Sequence, residues 1–154
     1  MSSIGLRVTT SEIYYSIYSG SIENCSFVSM GKINEPAAYS FPQTLSYYKK
    51  FIEGLFDEYK IISCGIKVAE PLSGRNGMND GVKKRLYIEG MLIETANNHG
   101  LDLIYGPFAS FSHQIGIKKN DDYVKVSDFF NTPNWPKVNK AHKEACLAGV
   151  GGLK

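Results

Sequence analysis

No apolar run in this sequence approaches the roughly 20 residues that a membrane-spanning helix needs, so no such span is expected. The first residues show no basic segment followed by an apolar stretch, so no signal peptide is expected either. The three cysteines (Cys25, Cys64 and Cys146) lie far apart and form no C-x-x-C pair. They read as reduced core thiols of a cytosolic protein rather than as disulfide partners or metal ligands. A net charge of +2 is too small to attract nucleic acid in bulk, which leaves that task to a local patch. The glycine-rich stretch "SGRNGMNDG" (73–81) is followed by no Gly-Lys-Ser/Thr, which argues against a phosphate-binding P-loop. There is no G-x-S-x-G elbow for a nucleophilic serine. His99, His113 and His142 are scattered and make no zinc site. Repeats, linkers and low-complexity segments are also missing, so the 154 residues are read as one intracellular, soluble domain, 1–154.

What is present is a clear change of period along the chain. "IGLRVTT" (Ile4–Thr10) alternates, with Ile4, Leu6 and Val8 on one face and Gly5, Arg7 and Thr9 on the other. "EIYYSIY" (Glu12–Tyr18) alternates again, and the short gap at Ser11 predicts a hairpin. A third strand is expected near Cys25–Ile33. From Phe41 to Tyr59 the residues Leu45, Tyr48, Ile52, Leu55, Phe56 and Tyr59 fall on one helical stripe, with Pro42 at the start. A strand at Ile61–Ala69, a helix near Val82–Asn98 closed by Gly100, and a short strand Leu101–Tyr105 follow. Short helices are expected around Phe108–Ile115 and Tyr123–Phe130, and a last one near Val138–Ala148. The fold class is therefore α/β: a mixed five-stranded sheet, antiparallel in its first three strands and then β-α-β, flanked by helices.

In such sheets ligands gather beyond the carboxyl ends of parallel strands. Glu70 stands at that edge, near the end of the largely apolar "IISCGIKVAEP" (61–71). A carboxylate there can hold a metal, accept a proton, or cap the strand in water. Basic residues gather in "KKR" (Lys83, Lys84, Arg85), in Lys118–Lys119, and along the last helix at Lys137, Lys140 and Lys143. These can follow a phosphate backbone or form an ordinary solvated face. Ten tyrosines are many for this length; Tyr14, Tyr18, Tyr39, Tyr47 and Tyr123 are candidates for stacking on bases, against the plainer reading of packing. Trp135, flanked by prolines one residue away on its C-terminal side and two on its N-terminal side, reads as an anchor for its loop.

The element order, "IGLRVTT" at the first strand, "IKVAEP" at the fourth, "GVKKRLYIEGMLIETANNHGL" after it, and "HKEACLAGVGG" (142–152) at the end resemble the ribonuclease H-like superfamily, in particular its RuvC-like Holliday-junction resolvases. The resemblance implies a ribonuclease H-like fold over nearly the whole chain. It also implies two Mg²⁺ ions held between converging acids, which activate water and stabilise the leaving oxygen. Against that pattern, the first-strand aspartate is replaced by Arg7 and the last helix offers His142, Lys143 and Glu144, leaving Glu70 as the acid clearly kept. Three functions follow as expectations. The first is a non-catalytic module that binds DNA or RNA, or serves in assembly, with no cofactor and with a homodimer or protein partner possible. The second is a Mg²⁺-dependent endonuclease with Glu70 as metal ligand and Glu70, Glu144 and His142 as catalytic candidates. The third is a protein-binding structural subunit. Lys83, Lys84, Arg85, Lys118, Lys119 and Lys143 are the nucleic-acid-binding candidates. Arg7 and Glu70 are expected to form a structural ion pair where the metal would sit; alternatively both reach solvent, or the basic cleft of Arg7, His142 and Lys143 holds an anion.

Overall fold

The structure, a computed structural model, describes residues 1–70 and 78–154. Its strands are β1 (Ser2–Val8), β2 (Glu12–Ser19), β3 (Ser26–Asn34), β4 (Ser63–Lys67) and β5 (Asp102–Gly106). Its helices are α1 (Phe41–Glu58), α2 (Asp80–Asn98), α3 (Ala109–Ile115), α4 (Asp122–Lys125) and α5 (Lys140–Gly151), with a 3-10 turn at Trp135–Lys137. The sheet order is β3-β2-β1-β4-β5. β1–β2 and β2–β3 are antiparallel, whereas β4 runs parallel to both β1 and β5. This is the mixed sheet that the alternating segments predict. The expected second short helix at Tyr123–Phe130 is cut to the single turn of α4, because the chain is drawn inward at Phe129 to stack on Trp135. The glycine-rich stretch lies largely outside the described residues.

The helices begin where side chains can meet their free N–H groups. Ser40 and Gln43 form a reciprocal capping box ahead of α1, with Pro42 in its first turn. Asn79 caps α2 through Val82, and Asn139 caps α5 through His142.

Strand alternation divides the interior into two. Ile4, Leu6 and Val8 of β1 and Cys64 and Ile66 of β4 face α1 and α2, where they pack with Tyr48, Ile52, Phe56, Ile88 and Leu92. On the other face the register sets Ser16, Gly5 and Gly65 level with one another across β2, β1 and β4. α5 lies on that row of small residues almost backbone to backbone: a Cβ on Gly5 would collide with the Ala145 carbonyl and the Gly149 amide, and one on Gly65 with the Ala148 carbonyl. Ser16 Oγ donates to the Ala145 carbonyl (2.9 Å) and Ser63 Oγ to the Gly152 carbonyl (2.6 Å). Around α5 pack Tyr18, Phe111, Tyr123, Phe129 and Trp135. Trp135 is the loop anchor that its sequence suggests: its indole N–H donates to the Tyr123 carbonyl (2.9 Å) and its ring stacks on Phe129 at 4.6 Å. The same face carries Arg7 and Lys67, two residues beyond the glycines and paired with each other in register. The depth at which α5 seats therefore decides what those two cations meet.

Candidate functional site

Arg7 and Lys67 end β1 and β4 side by side, and the Arg7 Nη1–H donates to the Lys67 carbonyl (3.1 Å). α5 brings Glu144 onto this pair. Its Oε2 stands 2.6 Å from Arg7 Nε and 3.9 Å from Lys67 Nζ. The Nε–H is not aimed along the short contact, so it is a close ion pair rather than an aligned hydrogen bond, and Oε2 lies shut off from water. Lys67, only 4 % exposed, also reaches Glu70: Nζ to Oε1 is 3.1 Å. Glu70 lies past the end of β4, and its Oε1 accepts the Phe108 backbone N–H as well (3.2 Å). The Lys67 ammonium, then the Phe108 amide, hold the Glu70 carboxyl below its ordinary pKa. The expected Arg7–Glu70 pair is therefore replaced by Arg7–Glu144 and Lys67–Glu70. The physical reason is register: Arg7 lies level with Lys67, which leaves Glu70 three residues farther along the chain.

A cavity of about 270 Å³ opens at this mouth. Arg7, Lys67, Glu70 and Glu144 form part of its wall, and Arg85, Asn120, Lys140 and Val82 form more of it. Glu89 of α2, 3 % exposed, accepts the Ala69 N–H at 2.8 Å behind the mouth, and burial pushes its carboxyl up. Arg85 is half-buried; its Nε and Nη2 are shut off from solvent with no hydrogen-bond partner among the described residues. Burial first, and the neighbouring Arg7 charge second, lower the pKa of its guanidinium. A larger hollow of about 460 Å³ beside α4 is walled by Tyr123, Phe129 and Phe130 with Lys118, Asp122 and Asp128, a smaller set of charges than the six that line the mouth, so the chemistry is read at the mouth.

Among solved structures, Thermus thermophilus RuvC in complex with a Holliday-junction substrate matches 98 % of this chain and 91 % of its own, with a TM-score of 0.64 and 7 % identity. A second Thermus thermophilus RuvC structure matches 98 % of this chain and 92 % of its own, with a TM-score of 0.62 and 8 % identity. The fold is the ribonuclease H-like fold of RuvC. No family model and no curated protein matches the sequence.

The Mg²⁺ ions expected from the sequence resemblance do not fit the carboxylates that this mouth presents. The ion needs several oxygens free to face it. Of the two carboxylates at the mouth, Glu144 is held by Arg7 and Glu70 by Lys67. Among the described residues no three His, Cys, Asp or Glu side chains converge as a metal-ligand set.

Of the catalytic candidates, Glu70 and Glu144 meet at this mouth through Lys67, whereas His142 does not join them. The backbone on which α5 rests turns His142 toward β2 and β3. There its Nε2 lies 2.9 Å from the Gly31 carbonyl oxygen, and its ring packs edge-on against Tyr14. The anion cleft of Arg7, His142 and Lys143 is likewise not assembled. Lys143 is 5 % exposed, gives its ammonium to the Val124 carbonyl (2.9 Å) and covers the Trp135 ring at 5.0 Å. It is a packing residue rather than a nucleic-acid contact. Lys84 is bound to Glu35, with Nζ 2.6 Å from each carboxylate oxygen. Lys83, Lys118 and Lys119 are exposed, and Asn120, next to Lys119, borders the mouth. Tyr14, Tyr18 and Tyr123 are buried and offer no face for stacking, whereas Tyr39 is exposed and Tyr47 half-buried. The residue missed in the sequence is Lys67. Its signal was a lysine within the apolar "CGIKVA", level with Arg7 once β1 and β4 are paired.

His142 yields a test of its surroundings. Burial lowers its pKa from the ordinary 6.5, against the Gly31 carbonyl, which raises it; Lys32 lowers it further and Glu12 raises it. The unfolded chain then takes up the proton more readily than the folded one. The contribution of His142 is full above about pH 6.5 and is lost as pH falls through the lowered folded value. Thermal melts between pH 7.5 and 5 are expected to fall toward acid in the parent, and less so in His142→Gln. Equal slopes in the two proteins would contradict this burial.

Proposed function

We propose that this chain is a nucleic-acid-binding module on a ribonuclease H-like fold that does not cut its ligand. The observation that carries the reading is the mouth itself, where Arg7 and Lys67 neutralise the only two carboxylates that line it among the described residues. A two-metal phosphodiester cleavage has no acid set to run on there. Binding is supported by the fold shared with a resolvase solved on a Holliday junction, and by the cations Arg85, Lys140, Lys118 and Lys119 on and near the mouth. Arg7, Glu144, Lys67 and Glu70 hold the ends of β1, β4 and α5 in one rigid rim. Arg85, Lys140 and the exposed lysines beside that rim receive the backbone.

The test is fluorescence anisotropy with four-way, duplex and single-stranded DNA and with RNA, at 50 and 200 mM salt and with Mg²⁺ present. About four phosphate contacts predict a log–log salt slope of roughly −3 to −4. The DNA or RNA is expected to be recovered uncut. Salt-insensitive or absent binding would favour a protein-binding subunit instead. Mg²⁺-dependent cleavage that Glu70→Gln abolishes would establish the endonuclease reading.

A further inference from the structure

Arg85 has no counterpart in the ion pairs of the mouth. Glu144 is taken by Arg7 and Glu70 by Lys67, while Arg85 and Lys140 are within ion-pair distance of no carboxylate among the described residues. Glu89, one turn along α2 from Arg85, spends an oxygen on the Ala69 amide instead. Two guanidinium nitrogens of Arg85 are out of contact with water and unmatched by an acceptor, an arrangement that costs stability unless an acceptor arrives. Arg85 also lines the cavity, so an acceptor that enters there meets its guanidinium.

The charge of the wall says what kind. Arg7, Lys67, Arg85 and Lys140 bring four positive charges against two negative ones from Glu70 and Glu144, an excess of two. Asn120 adds an uncharged amide donor to the same wall. Guanidinium forks match tetrahedral oxyanions in geometry. A phosphodiester carries one negative charge, while a phosphate monoester carries nearly two at neutral pH.

We propose that the mouth binds a phosphate monoester, with Arg85 and Lys140 as its principal cations and Asn120 as a further donor, so that a nucleic-acid strand is engaged by its phosphorylated end. The strand-end part rests on the nucleic-acid reading above; the phosphate site does not. Arg7 and Lys67 contribute charge from behind while remaining bound to their carboxylates.

The experiment titrates the full chain with inorganic phosphate by calorimetry. It then compares oligonucleotides of one sequence bearing a 5′-phosphate, a 3′-phosphate or hydroxyls at both ends. Saturable phosphate binding is expected, together with about tenfold or tighter binding of one phosphorylated end over the hydroxyl form. Lys140→Met, at an exposed position, and Arg85→Gln should each shrink both effects, and Arg85→Lys should restore part of the charge without the fork. Phosphate saturation without any oligonucleotide binding would support the site for free phosphate and overturn the nucleic-acid reading. Equal binding of all three oligonucleotides with no phosphate saturation would overturn the site and leave that reading standing.

Discussion

Replacing Glu144 by glutamine is expected to lower the free energy of unfolding by about 3–5 kcal/mol, the cost of removing one partner from a largely buried ion pair. Arg7 and Glu144 expose only 13 % and 10 % of their side chains, and Lys67 only 5 %, so solvent screens the cations weakly once the acid is gone. Arg7 and Lys67 would then face each other across adjoining strand ends with the exposed Glu70 as their one remaining acid at the mouth. Glu70→Gln, by contrast, removes a partner that water reaches, and is expected to cost no more than about 1 kcal/mol. Urea unfolding at neutral pH reads both differences from the midpoints, provided the slope is unchanged. A double change, Arg7→Met with Glu144→Leu, should recover most of the loss, because it removes the stranded charge together with its partner. Glu144→Gln unfolding within 1 kcal/mol of the parent would show that the mouth is not held by this pair.

The second large effect is steric. Gly5→Ala or Gly65→Ala is expected to destabilise by about 3 kcal/mol or more, at or above the upper end of ordinary overpacking. The added methyl would meet backbone atoms of α5, the Ala145 and Ala148 carbonyls, rather than a side chain that can turn away. α5 would have to lift from the sheet, carrying Glu144 away from Arg7. Trp135, the only tryptophan, sits beneath Lys143 of α5, so its fluorescence reports the displacement directly. Two other glycines supply the contrast. Gly54 and Gly90 lie exposed in α1 and α2, where a Cβ would meet nothing. Gly54→Ala and Gly90→Ala are expected to stabilise by about 0.5–1 kcal/mol through helix propensity and unfolded-state entropy. Loss of stability at Gly54 or Gly90 comparable to that at Gly5 would contradict the packing described here.

Much of this architecture was legible because strand alternation carries a face and a partner at once. "IGLRVTT" placed Gly5 and Arg7 opposite Ile4, Leu6 and Val8, and the structure uses the two faces in just that way. The helix stripe of α1 likewise named Tyr48, Ile52, Leu55 and Phe56, all buried. What could not be read was register between segments distant in sequence. Arg7 was matched to Glu70 because both stood near strand ends, whereas parallel pairing puts Lys67 beside it. In sequence the last helix offers Lys137, Lys140 and Lys143 as a solvated or phosphate-facing stripe; Lys137 and Lys140 are indeed exposed, but from Lys143 to Gly151 every residue of α5 is buried. Small residues there (Ala145, Ala148, Gly149) gave a weak hydrophobic pattern, although it is their smallness that lets the helix sink onto the sheet. Lys143 is buried with them by snorkelling its ammonium to the Val124 carbonyl over an aromatic ring.

The mouth of β1 and β4 is a place either for the chain's own cations or for metal ions. Calorimetric titration of Mn²⁺ into the parent chain and into Glu70→Gln addresses this most directly, because it needs no nucleic acid and no assumption about the ligand. No saturable heat is predicted in either protein, since Lys67 and Arg7 already occupy the carboxylates. Tight binding in the parent that Glu70→Gln abolishes would contradict the account and make the mouth a metal site.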